Sequence, residues 1–152
     1  MRLVTENKKA GQRNCDNVVP LAATKNVPVL AFDAEHNEEC AAQRRPEEIN
    51  QLRPHAHLAI GAPVMLVANQ IWNTHTVHSG LMHGARRILI TTSGQANHPK
   101  LPNYVVVYFP HYKRYALWHE HLTWVPAPPI QRESKQAPQL QHTQLPLRLA
   151  WA

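Results

Sequence analysis

The chain has 152 residues with 13 prolines against 5 glycines, a balance that predicts short elements and no long helix. Its two cysteines, Cys15 and Cys40, match no zinc spacing and are too few for a disulfide-built secreted fold, so both read as small buried apolar groups. The formal charge of +6 is uneven: residues 1–50 carry a net −1, whereas residues 51–152 carry +7 and 10 of the 11 histidines, a basic body suited to a polyanionic partner.

Met1 to Asn14 is charged and polar, so no secretion signal is expected. The longest uncharged apolar stretch, Leu58 to Trp72, has 15 residues and is interrupted by Gly61 and Pro63, too short for a membrane span. The expectation is a soluble, intracellular protein with one core. Leu3-Val4-Thr5 reads as the end of a strand, and Thr5 as the cap of a short helix ending near Cys15 and weakened by Gly11. Val27 to Ala34 carries Val27, Val29, Leu30 and Phe32 and reads as a half-buried strand. Asn37 to Arg45 is rich in helix formers, and Pro46 either ends that helix or opens another at Glu47-Glu48-Ile49.

After Arg53-Pro54 the pattern changes to short apolar runs bounded by turn residues: Leu58 to Ile71, Ala85 to Thr92, Tyr104 to Phe109, Leu122 to Pro126 and Leu145 to Ala152. Short β-branched runs of this kind predict a small antiparallel barrel or sandwich. The stretch from Pro126 to Pro146 lacks apolar periodicity and reads as an exposed loop. Leu147, Leu149 and Trp151 alternate onto one face, as in a strand meant for the interior of a sheet.

No glycine-rich phosphate loop is present, nor Gly-x-Ser-x-Gly or His-Glu-x-x-His, and the acids form no obvious pair, so autonomous nucleotide hydrolysis is not expected. His55-x-His57 and His119-Glu120-His121 would each set two imidazoles on one strand face, but no third ligand can be named; they read as surface polar residues, and His75, His78 and His83 as turn residues. A basic group with aromatic neighbours stands out: Arg86-Arg87, then Tyr108-Phe109-Pro110-His111-Tyr112-Lys113-Arg114-Tyr115, then Trp118. Positive charge along a backbone and aromatic faces under bases are what single-stranded nucleic acid requires. Phe109 and one tyrosine are expected in the core. An aromatic groove of Trp72, Trp118 and Trp124 would instead suit a peptide.

The order of blocks in this sequence resembles the Pif/RecD-like DNA helicases of superfamily one, including those carried by Helitron transposons. The blocks are Leu58-Ala59-Ile60-Gly61-Ala62-Pro63-Val64-Met65-Leu66 with Asn69, Gly80-Leu81-Met82-His83-Gly84-Ala85, Leu101-Pro102 with Val105-Val106-Val107-Tyr108-Phe109 and Tyr112, and Gln144-Leu145-Pro146-Leu147-Arg148-Leu149-Ala150-Trp151-Ala152. Leu3-Val4-Thr5-Glu6-Asn7 with Asn14, and Ala34-Glu35-His36, are similar to the family's preceding segment.

The resemblance implies an α+β, mainly β fold, with a small Src-homology-three-like β-barrel inserted in an incomplete RecA-like α/β domain. Residues 1–53 would be the partial second motor domain, 54–144 the barrel, and 145–152 a returning strand. The family uses ATP and magnesium, but its P-loop and acidic motif would lie before Met1 and its Thr-Ile-His-Lys-Ser-Gln-Gly motif after Ala152. The chain therefore reads as a fragment of a 5′-to-3′ ATP-dependent DNA helicase, or a binding module derived from one, without cofactor, metal or catalytic residues of its own. Its expected partners are single-stranded DNA, through Arg86, Arg87, Tyr112, Lys113 and Arg114, and the remaining portions of a parent helicase, with no membrane or small-molecule substrate. The family points to DNA repair, recombination and telomere maintenance, in nucleus or mitochondrion if the source is eukaryotic.

This sequence departs from the family pattern where His83 replaces an asparagine and Arg87 a glycine, where Arg114 and Tyr115 replace a Gly-Pro, and where His142 replaces an arginine. The terminal strand Leu147–Trp151 is expected to have lost its neighbours and to expose apolar surface.

Overall fold

Helix α1 spans Asn7–Lys25 in a computed structural model that describes residues 7–39, 52–67, 86–92, 101–112 and 118–151, with backbone alone for 7, 8 and 86–92. The predicted cap Thr5 lies outside the described residues, and the helix, predicted to be short, runs ten residues past Cys15, through Pro20. Proline in a helix interior costs about 3 kcal/mol, because it removes a backbone donor and crowds the preceding turn. Tertiary packing outweighs this. Val18 and Ala22 are buried and Leu21 packs against the core, one stripe at helical spacing on both sides of the proline, while Pro20 itself faces solvent. The helix ends cleanly: Asn26 adopts φ 51°, the Asn26 amide donates to Ala23 O at 3.3 Å and the Val27 amide to Ala22 O at 3.0 Å, the paired bonds of a Schellman cap. Cys15, expected inside, is an exposed free thiol because it lies off the packing stripe.

Strands β1 (Val29–Asp33), β2 (Glu35–His36), β3 (His55–Ala59), β4 (Pro63–Leu66), β5 (Arg86–Thr92), β6 (Val105–Tyr108), β7 (Trp124–Ala127), β8 (Ile130–Glu133), β9 (Gln141–Gln144) and β10 (Leu147–Leu149) follow. The described residues are thus mainly β with one helix. They form three antiparallel sheets: β1-β3, β10-β4-β5-β6-β7 and β2-β9-β8. The five-stranded sheet is open among the described residues, with β10 and β7 at its margins. Pro126 sits within marginal β7, where a missing N–H does least harm, and a register shift between Leu89 and Thr91 bends β5 against β6.

The apolar run from Leu58 is two strands, folded back at Gly61. The Ala62 amide donates to Ala59 O at 3.0 Å, and Gly61 has φ 81°, a conformation other residues adopt at a cost. Gly61→Ala is expected to lower stability by about 1–2 kcal/mol. The reverse holds for Gly11, inside α1: an added Cβ would stand 4.0 Å from Arg53 Nη1, an ordinary contact. Gly11→Ala should therefore raise stability by about 0.5–1 kcal/mol. Thermal melts of the two variants check both signs.

Two further expectations are corrected. The stretch from Pro126 to Pro146 is not an exposed loop: it contains β8 and β9, and Leu140, His142, Gln144 and Leu145 are buried. Its inward positions on β9 are His and Gln, which carry no apolar signal. Nor is the terminal strand stripped of neighbours. Leu147 and Leu149 are buried, β10 pairs with β4, and Asn14 of α1 closes over its end, its amide donating to Leu149 O at 2.7 Å and its Oδ1 accepting from the Trp151 amide at 3.0 Å. The predicted strand end at Leu3–Thr5 and the predicted helix beyond residue 39 lie outside the described residues. Among the described residues no helix is long and apolar enough to cross a membrane.

The core joins α1, β1 and β3 to the five-stranded sheet: Val18, Leu30, Phe32, Leu58, Val64, Leu66, Val105, Val107, Phe109, Val125 and Leu147 form one cluster. Burial of each large side chain is worth about 1.5–3 kcal/mol.

Candidate nucleic-acid interface

Opposed residues in an antiparallel pair share a face, so the register sorts the second half of the chain into rows. One row of the five-stranded sheet runs Leu89, Val107, Val125, and the last two are buried in the core. The adjacent row runs Pro63, Ile88, Tyr108, Trp124 and belongs to the other face, where Tyr108 is 36% exposed. Two positions along on that second face is the row Arg148, Met65, Arg86.

The period of two divides the arginine pair. Position 86 is opposite Met65, on the face of Tyr108, whereas position 87 is opposite buried Val64. The sequence treats them as one basic pair; the strand assigns them to opposite faces. Lys113 and Arg114 lie outside the described residues. Tyr112 is half-buried, packs against the core and donates its amide to Phe109 O at 3.0 Å. Phe109 is buried as expected, held where its amide donates to Thr123 O at 2.8 Å.

Beside Tyr108, two tight turns bring further rings together. The His121 amide donates to Trp118 O at 3.1 Å and the Trp124 amide to His121 O at 3.0 Å. These turns stack the His121 ring on Trp124, with centroids 3.7 Å apart and planes 9° apart, and set Trp118 edge-on to Trp124 at 6.4 Å. Sequence reasoning named the tryptophans but not the histidine, since only the turn brings positions 121 and 124 face to face. Of the aromatic groove, Trp72 lies outside the described residues.

His119-Glu120-His121 lies in these turns and not on a strand, so its imidazoles do not share a strand face. His55 and His57 do share one on β3, both exposed, and His55 Nδ1 pairs with Asp33 Oδ1 at 2.7 Å. Among the described residues no three His, Cys, Asp or Glu side chains converge as metal ligands would. The described glycines, one within α1 and one in the β3–β4 turn, form no phosphate cradle, so the described residues do not fit a magnesium nucleotide.

A polar pair missed in the sequence lies in the three-stranded sheet. His142 on β9 sits between His36 on β2 and Arg132 on β8. One imidazole Nδ1 donates to the other at 3.2 Å, and the rings tilt by 60°. His142 is 1% exposed and its Nε2 lacks a hydrogen-bond partner. Burial, reinforced by His36 and opposed by the Arg53 backbone, lowers its pKa from 6.5 to about 4. Burial also lowers that of His36, with His55 adding to the effect.

No profile of a known protein family and no curated protein matches the chain. Solved structures do. Over 99% of its length the chain superimposes on a Pif1 helicase from Bacteroides in complex with ADP-AlF3 and single-stranded DNA, with a TM-score of 0.63 and 15% identity. The unliganded Pif1 from Bacteroides sp. gives 0.62 over 97% at 16% identity, and Pif1 from Candida albicans 0.62 over 97% at 17%. The chain has the fold of part of a Pif1 helicase. It spans 29%, 39% and 34% of those three Pif1 chains, respectively. Of the sequence blocks, three fall on β3–β4, β6 and β10, and Gly80–Ala85 lies outside the described residues.

Proposed function

We propose that this chain is a piece of the C-terminal region of a Pif/RecD-like 5′-to-3′ DNA helicase, in which a small Src-homology-three-like barrel is inserted into the second RecA-like motor domain. The observation that carries this reading is the likeness to Pif1 over nearly the whole chain, in agreement with sequence blocks in the family's order. ATP and magnesium would be handled by parts of the motor that this chain does not match, so the chain alone turns over no ATP.

Its own contribution is contact with single-stranded DNA. Arg86, Lys113 and Arg114 supply charge, Tyr112 with the exposed Tyr108 supplies aromatic surface, and Arg87, on the opposite face of β5, is set aside. Fluorescence anisotropy with a labelled oligothymidylate tests this. Affinity should fall with salt along a log–log slope of about −0.7 for each phosphate contacted. Tyr108→Ala should weaken binding by about 1–3 kcal/mol, the worth of one base stack. Binding that ignores salt and tolerates Tyr108→Ala would favour instead a peptide groove at Trp118 and Trp124.

A further inference from the structure

Between α1, β3 and β10 lies a narrow cleft of about 60 Å³, lined by Asn14 and Cys15 of the helix, by Arg53, His55 and His57, and by Arg148. That volume is roughly four times what one water needs, and suits a small tetrahedral oxyanion. We propose that this cleft binds a phosphate group, with the Arg53 guanidinium as its principal donor. The proposal does not depend on the helicase reading, and its cleft meets the Tyr108 face of the sheet only at Arg148.

Three observations support it. The lining includes two arginines and two histidines and no carboxylate. Asp33, the acid beside His55, is already paired with that residue at 2.7 Å. Arg53 forms no ion pair among the described residues, although its guanidinium lies against α1 at Gly11, where an added Cβ would stand 4.0 Å from Nη1. Its planar fork can present two parallel N–H groups, the geometry that phosphate oxygens accept. The other polar walls are already committed. Asn14 is bonded to Leu149 O and the Trp151 amide, and Gln144 to Phe32 O, Pro54 O and the Leu145 amide. They line the cleft and leave recognition to Arg53.

Cys15 lines the same cleft and is exposed, so its alkylation reports on the site. The 152-residue chain is treated with iodoacetate, an anion, or with neutral iodoacetamide, and modification of the Cys15 peptide is followed by mass spectrometry. The ratio of the two rates cancels the intrinsic reactivity of the thiol and leaves the local potential. In the folded chain this ratio should exceed that of the urea-unfolded chain by roughly threefold or more, as expected of a cationic cleft. Millimolar inorganic phosphate or pyrophosphate should protect Cys15 from both reagents. Arg53→Gln should abolish the enhanced ratio and the protection, Arg53→Lys should retain the ratio while weakening the protection, and Lys135→Gln, a charge removed on the β8–β9 loop, should change neither.

Protection by an oligothymidylate at lower concentration than phosphate would identify the ligand as a DNA backbone, and protection by phosphate and pyrophosphate alone would identify a free phosphate compound. Arg53 is exposed, so its replacement is expected to leave the thermal melt unchanged. Equal reagent ratios in folded and unfolded chains, absence of protection by all three probes, or protection that survives Arg53→Gln would overturn the proposal. Loss of oligothymidylate binding to the Tyr108 face, with phosphate protection of Cys15 intact, would sink the DNA-contact reading alone.

Discussion

Acidification from about pH 7 to about pH 4 is expected to remove about 3 kcal/mol of folding stability through His142 alone. Its folded pKa is about 4 against an ordinary value of 6.5. As pH falls through that interval the unfolded chain takes up the proton first, so stability present above 6.5 is lost progressively until the folded form also protonates near 4. The cause is geometric. A protonated His142 would be a buried cation in the middle strand of its sheet, between His36 and Arg132, while Glu35 and Glu133 pair instead with Thr143 and Gln141. Denaturant melts across this range should show the slope, and His142→Phe should flatten most of it, with the smaller contribution of His36 left behind. A wild-type stability that stays level down to pH 4 would refute this account.

Gln144→Leu is expected to cost about 1–3 kcal/mol, although it replaces a polar residue with an apolar one of similar size in a buried position. Gln144 is 1% exposed and joins three segments. Its Nε2 donates to Phe32 O at 3.2 Å and to Pro54 O at 3.4 Å, and its Oε1 accepts from the Leu145 amide at 2.8 Å. Leucine would leave the Leu145 amide buried without this partner, whereas Phe32 O keeps the ladder bond from the opposed Ala56. Pro54 O would keep one, since the Ala34 amide also donates to it at 2.8 Å. A buried backbone group left unpaired costs about 1–3 kcal/mol, which exceeds the gain from one apolar side chain already at the edge of a filled core. Equilibrium urea unfolding of Gln144→Leu measures the difference. A change of less than about 0.5 kcal/mol would mean that water or a shifted backbone takes over the bonds.

The same two residues show why part of the fold was hidden. Strand β9 alternates in burial as any strand does, but its inward positions are His142 and Gln144, so the hydrophobic period that reveals β6 and β10 is absent. Helix α1 was hidden beyond Cys15 for the opposite reason. Pro20 announces a break that Val18, Leu21 and Ala22 override by packing on β1 and β3, a contact between elements that no local window contains.

Local composition and order determined a great deal unaided: the shift to short strands after Pro54, the positions of β1, β5, β6, β7 and β10, and a block order resembling Pif/RecD-like helicases. Each depends on chain-local chemistry, whether turn preference, period or motif spacing. Tertiary structure alone decided that Arg86 and Arg87 part to opposite faces, that His121 covers Trp124, that His36 meets His142, and that Arg53 comes to rest on Gly11. These are properties of register and of approach between distant segments. A one-residue slip in strand pairing would invert the faces without altering a single letter of the sequence.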